Sequence, residues 1–210
     1  LLGVLACLRG HASVDLGLVH EAIAPNRERK TVENRVSALR RRLGVGSDGE
    51  DLLPATGPTA RFLELSRLVV TDLDLLEHRL YSAHELGSND ARRVLTEGLD
   101  LMEGPLFRAQ KGFDGWPQSE GVVVAMTTII TNYALMLIDL AVEVDDFALV
   151  ARTTAAAGQV LDNPVSEFPF RQKEEEYAEA CGDDQLVASV GAAREKLLAY
   201  LRDEDSLATP

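Results

Sequence analysis

Residues 31–44 read TVENRVSALRRRLG, from Thr31 to Gly44, and their spacing predicts one amphipathic helix. Val32, Val36, Leu39 and Leu43 recur at intervals of four, three and four. At about 100° per residue they form a single apolar stripe. Thr31 is the expected N-cap and Gly44 stands at the C′ position. Opposite the stripe lie Asn34, Ser37, Ala38 and Arg41, with Arg35 and Arg42 on one flank and Arg40 on the other. Between Arg27 and Arg42 there are seven basic residues against Glu28 and Glu33, the only basic cluster in the chain. A helix that gives one face to a core and shows Asn, Ser and Arg on the other has the chemistry to read nucleic acid. Asn suits adenine, and Arg suits guanine or phosphate.

Toward the N-terminus, Leu1–Leu8 is apolar and helix-compatible, with Gly10 as a stop. Asp15 then caps a short helix whose Leu16, Val19 and Ile23 follow helical spacing, and Pro25 closes it. Toward the C-terminus, the polar stretch Gly46–Glu50 leads to two strand-like runs, Leu52–Thr56 and Ala60–Leu65. The turn signal Gly57-Pro58-Thr59 lies between them. Helix, helix, basic helix and hairpin within residues 1–70 is the order of a winged helix. In the related helix-turn-helix scheme the second of two crossing helices enters the major groove.

From Asp72 onward the pattern is helical. Asp72 is expected to cap Leu73–Leu86, and Ser88 to cap Asn89–Met102. Glu103–Trp116 reads as a loop, succeeded by a long helix from Pro117 to Val144. Asp145 or Asp146 caps the next, which ends near Leu161; Asn163-Pro164 is a break, and a last pair spans Ser166–Cys181 and Asp183–Arg202. Short connections between successive helices predict stacked antiparallel hairpins, tetratricopeptide-like in architecture although no 34-residue period is visible. Gly121–Ile138 carries no charge over eighteen residues. Its Thr127, Thr128, Thr131 and Asn132, and the lack of Lys or Arg anchors, mark it as a core helix and not a membrane span. Val124, Ile130, Leu135 and Ile138 are therefore expected to be buried.

Of the 210 residues, 46% are hydrophobic and 26% charged, which excludes wholesale disorder, a collagen-like repeat and a disulfide scaffold. Charge divides the chain. Residues 1–70 hold ten Lys and Arg against eight Asp and Glu, a net of +2, whereas residues 71–210 hold eleven against 26, a net of −15. Non-specific coating of nucleic acid is excluded, so any DNA contact must come from the local basic patch. Cys7 and Cys181 form no CxxC pair and read as buried free thiols of a reducing compartment. Leu1–Leu8 is too short for a membrane span and lacks the basic flank of a signal peptide. A chain that begins at Leu1 and not Met is expected to be a piece of a longer protein.

The stretch Thr31–Gly44 resembles the third helix of the winged-helix domain in actinobacterial antibiotic-regulatory-type transcriptional activators. The downstream segments come in a similar order: Leu53–Leu65 where that family has its wing, Val70-Thr71-Asp72-Leu73-Asp74 at the entry to the helical part, and Leu99–Phe107 (LDLMEGPLF) like its Leu-Trp-x-Gly-Pro-Leu segment. The resemblance implies a mainly α chain: residues 1–70 a winged-helix DNA-binding-like domain, residues 71–210 an all-helical bacterial transcriptional activator domain. Residues 33–41 and Trp116–Met126 (WPQSEGVVVAM) look most like a subgroup in which this pair of domains ends a large membrane-associated LysM-type protein. The chain departs from the activator pattern in its wing, where Gly57-Pro58-Thr59-Ala60-Arg61-Phe62-Leu63 replaces Gly-Tyr-Arg-Leu, and in its acidic helical part.

No P-loop, GxGxxG, HExxH or GxSxG is present. His11, His20, His78 and His84 lack metal-ligand spacing and read as surface or satisfied histidines. Glu174-Glu175-Glu176 reads as a solvated helical face, Trp116 as an anchor, and Asp183-Asp184 as a cap. The reading is thus a non-enzymatic, cytoplasmic transcriptional regulator without cofactor, metal or small-molecule substrate. Its partners are double-stranded DNA in the major groove, a protein bound by the helical domain, and a second copy where such regulators dimerise on repeats. The candidate DNA-contacting residues are Lys30, Thr31, Asn34, Arg35, Ser37, Ala38, Arg41, Arg42 and, in the wing, Arg61. The competing expectation is a cytoplasmic interaction module of a membrane-associated protein, with Arg40–Arg42 paired to acidic residues instead of DNA.

Overall fold

The computed structural model describes residues 2–7, 14–55, 62–106, 121–162, 164–182 and 184–207. It is mainly helical, and among the described residues the one sheet has two short strands. The chain divides into two compact units: Leu1–Thr71 with Ala109–Val122, and Asp72–Arg108 with Val123–Pro210.

The first unit runs α1 (Leu2–Cys7), β1 (Val14–Asp15), α2 (Leu16–Ile23), α3 (Arg29–Leu43) and β2 (Phe62–Leu63). Asp15 caps α2 as expected, its Oδ1 accepting from the Gly17 amide at 2.6 Å. Val4, Leu5, Leu16, Val19, Val32, Val36, Leu53 and Leu63 are buried and form this unit's apolar interior.

Two expectations are corrected by this unit. The N-cap of α3 is Glu28, which makes no side-chain cap bond, and Thr31 lies inside the helix. At the start of α3 the Thr31 amide donates to the Glu28 carbonyl at 2.8 Å. Among the described residues the two runs after α3 do not pair as a hairpin ladder. Instead Phe62–Leu63 pairs antiparallel with Val14–Asp15, Val14 opposite Leu63 and Asp15 opposite Phe62. Residues 52–55 carry no strand, because Pro54 has no N–H to donate and the carbonyls of Leu53 and Pro54 accept from Arg40. One backbone bond, Ser66 N–H to the Leu52 carbonyl at 2.9 Å, ties the first run to the residue just past the second. The turn 57–59 and Arg61 lie outside the described residues.

The second unit comprises α4 (Asp72–Ala83), α5 (Ser88–Gly98) with a 3₁₀ turn at Leu99–Leu101, α6 (Val122–Val142), α7 (Phe147–Leu161), α8 (Pro164–Cys181) and α9 (Asp184–Leu207). Asp72 opens α4 as a first-turn acid, α4 ends at Ala83 instead of Leu86, and Gly87 rather than Ser88 is the N-cap of α5. The long helix starts at Val122, the expected stretch from Pro117 to Glu120 lying outside the described residues. Asp146 caps α7 through the Leu149 amide at 3.0 Å. Leu76, Leu95, Leu99, Tyr133, Leu137, Ile138, Val150 and Phe170 meet in one core drawn from α4 to α8.

Val122–Val142 is long and apolar enough to cross a membrane by length and composition alone. It reaches the core through its second half: Ile130 and Ile138 are buried as expected, but Leu135 is only half-buried and Val124 is 68% exposed. The acidic run is also corrected. Three consecutive residues sweep about 200° around a helix and cannot share one face. Glu174 is buried and takes Arg171 Nη1 at 2.7 Å, Glu175 takes Arg194 at 2.7 Å, and Glu176 alone is exposed. Cys7 is half-buried with its thiol pKa raised by burial, while Cys181 is exposed, not buried as read from the sequence.

Candidate nucleic-acid interface

The α2–α3 turn is held by local bonds. The Ala24 amide donates to the His20 carbonyl at 2.9 Å, Arg27 N–H to Ala24 O at 3.0 Å, and His20 Nε2 to Arg27 O at 2.6 Å. His20 is thereby a satisfied histidine inside the turn. His78 and His84 are exposed, and His11 lies outside the described residues. Among the described residues no cluster of His, Cys, Asp and Glu could hold a metal ion.

With α2 packed on α3, the apolar stripe turns inward: Val32 and Val36 are buried, and Leu39 and Leu43 are half-buried. The opposite face turns out. Lys30, Asn34, Arg35, Ser37, Arg41 and Arg42 are exposed, and Thr31 and Ala38 are half-buried. Ser37 Oγ donates back to the Glu33 carbonyl at 2.9 Å, and Arg29 makes an exposed pair with Glu33 at 3.4 Å. Among the described residues Lys30, Arg35, Arg41 and Arg42 make no ion pair. The helix stops at Gly44, whose φ of 69° suits a residue without Cβ and whose amide donates to Arg40 O at 3.0 Å. The expected contact residues thus lie on one helix and one side of it, save Arg61, which is outside the described residues.

Arg40 is the basic residue whose part the sequence did not show. It is half-buried, and its guanidinium donates to two backbone carbonyls rather than facing solvent. A charge on a helix flank reads the same whether it meets phosphate or carbonyl, so only Pro54, downstream in a run that cannot complete a ladder, hinted at free acceptors.

The second unit presents an open cleft of about 970 Å³ between α5 and the start of α7, with Asn89, Arg92 and Arg93 on one wall and Asp145, Asp146 and Arg152 on the other. Its charges are mixed, and Arg93 and Arg152 are already paired with Asp90 and Glu97 and with Asp100. No protein-family model matches the chain, and no curated protein or solved structure matches it either.

Proposed function

We propose that the chain is a DNA-binding transcriptional regulator of the activator type. Its first unit is read as a winged helix that places α3 in the major groove, its second as tetratricopeptide-like helical hairpins that contact a protein. The observation that carries this reading is the outer face of α3: Asn34, Arg35, Ser37, Arg41 and Arg42 exposed on a helix whose other face is buried. The order α1, β1, α2, α3, β2, with β2 returning to pair with β1, supports the winged-helix assignment. So does the resemblance of residues 31–44 to the third helix of that activator family. The α5–α7 cleft is the concave surface open to a protein partner.

Arg41 decides the test. It stands opposite Val32 and Val36, so on a docked α3 it faces the groove. A base-reading Arg contributes roughly 1–3 kcal/mol of discrimination. Arg41→Glu should abolish binding to labelled promoter fragments while leaving the melting temperature nearly unchanged, since an exposed helical position carries little stability. Arg35→Gln and Arg42→Gln should weaken all duplexes alike, each flattening the salt dependence by about one phosphate contact.

A second reading is favoured by the net charge of −15 over residues 71–210, whose field repels a polyanion. In it the chain is a cytoplasmic interaction module of a larger membrane-associated protein, and its winged helix is structural. Absence of wild-type binding even at low salt selects this reading.

A further inference from the structure

Arg40 bridges two consecutive carbonyls. Its Nε donates to Leu53 O at 2.7 Å and its Nη2 to Pro54 O at 2.9 Å. Between these partners the chain leaves α3 at Gly44, makes a tight excursion closed by the isolated bridge between Val45 and Asp51, and comes back. Two backbone bonds belong to the same return: Leu52 N–H to Gly44 O at 3.0 Å, and Ser66 N–H to Leu52 O at 2.9 Å. The second ties residues 52–55 to the segment just after β2, and β2 is paired with β1 immediately ahead of α2. One guanidinium therefore sits where α3 is joined to the sheet of its own unit.

We infer that Arg40 is a positioning residue for the reading face. It holds the returning segment 52–55 against α3, so that the β1–β2 pair and the outer face of Asn34, Ser37 and Arg41 keep one fixed relation. It does not itself touch DNA. The planar fork of Arg matches two neighbouring carbonyls; the single ammonium of Lys keeps the charge but cannot hold both in one plane. The functional half of this inference rests on the DNA-reading proposal above, whereas the clamp stands on contacts within the first unit alone.

The test compares the whole 210-residue chain with its Arg40→Lys and Arg40→Gln variants in two measurements. In amide hydrogen exchange, both variants should speed exchange at Leu52 and Ser66 by about tenfold while the amides of α3 keep their protection. In DNA titration, with a duplex enriched by the wild type from a random pool, Arg40→Lys should lose affinity by about tenfold. Both variants should keep the wild-type slope of log affinity against log salt, since the loss of a phosphate contact would flatten it by about 0.9. Unchanged exchange in both variants overturns the clamp. Looser exchange with undiminished affinity overturns the positioning role, and a flattened slope in Arg40→Gln makes Arg40 a phosphate contact instead. If the wild type enriches no duplex, the DNA reading falls together with the role in binding, and the exchange measurement still decides the clamp. Should Arg40→Gln unfold the first unit, Arg40→Lys, which keeps stem and charge, carries the comparison.

Discussion

Tyr133 joins α6 to α5 through one hydroxyl: fully buried, it donates to the Leu95 carbonyl at 2.6 Å. Burial, the largest influence, raises its pKa well above the ordinary tyrosine value. The sign is set by which state holds the proton more tightly. The folded chain does, so this contribution is fully present below the unfolded pKa of about 10 and is lost as pH rises toward the folded value. Tyr133→Phe should cost about 1 kcal/mol at neutral pH. It should also remove up to about 1.4 kcal/mol of stability loss per pH unit above pH 10, read as the difference between wild-type and variant denaturation curves. Beside the same hydroxyl is Gly98, where a Cβ would collide with the phenol oxygen. Gly→Ala in a helix ordinarily gains about 1 kcal/mol, yet Gly98→Ala should destabilise by about 1–3 kcal/mol because the buried ring end has nowhere to go. A double-mutant cycle with Tyr133→Phe should show a smaller penalty, the nearest clashing atom having gone.

At the scale of elements, α2 and α3 contrast in how they begin. Asp15 satisfies the Gly17 amide, and Asp15→Ala should cost about 1 kcal/mol in thermal denaturation. Glu28 holds the extended backbone of an N-cap, φ −63° and ψ 141°, but bonds no amide with its side chain. Glu28→Ser should therefore add about 0.5–1 kcal/mol, whereas Thr31→Ala should leave the cap untouched. The periodicity of residues 31–43 located α3 and its buried stripe correctly. It could not separate a cap from a first-turn residue, since Glu28 and Thr31 both precede the apolar positions by acceptable offsets. The expected hairpin ladder is not formed among the described residues, for a different reason. Local turn signals name which residues can bend, while the partner of Phe62–Leu63 is Val14–Asp15, from the far side of two helices in sequence.

For the molecule as a whole, the charge division and the apolar helix α6 make the sharpest claims. Self-repulsion among the acidic residues of 71–210 opposes compactness. Raising sodium chloride from low to physiological strength should therefore raise the thermal stability of the second unit, as monitored by exchange of its core amides. In vesicle flotation the 210-residue chain should stay in the aqueous fraction. Ile130, Leu137, Ile138 and Ala141 of α6 are packed into the core, and its exposed apolar residues, Val124 and Ala125, lie within the first two turns. Two turns span about 11 Å, far short of a bilayer core of about 30 Å. Flotation with the lipid would mean that α6 leaves its core.

What the sequence determined by itself was local: nearly every helix, the cap at Asp15, the stop at Gly44, a cap at Asp145 or Asp146, and the polar face of α3. These come from periodicity and from backbone groups satisfied within a few residues, so they are written in adjacent letters. The tertiary structure alone decided the pairing of β1 with β2, the burial of Glu174 beside Arg171, the exposure of Val124, and the use of Arg40 on the carbonyls of Leu53 and Pro54. Each of these depends on which groups meet after the chain has folded back. A charged or apolar side chain has the same letter whether it finds water, a neighbour's charge or an open carbonyl, and only the packing around it chooses among them.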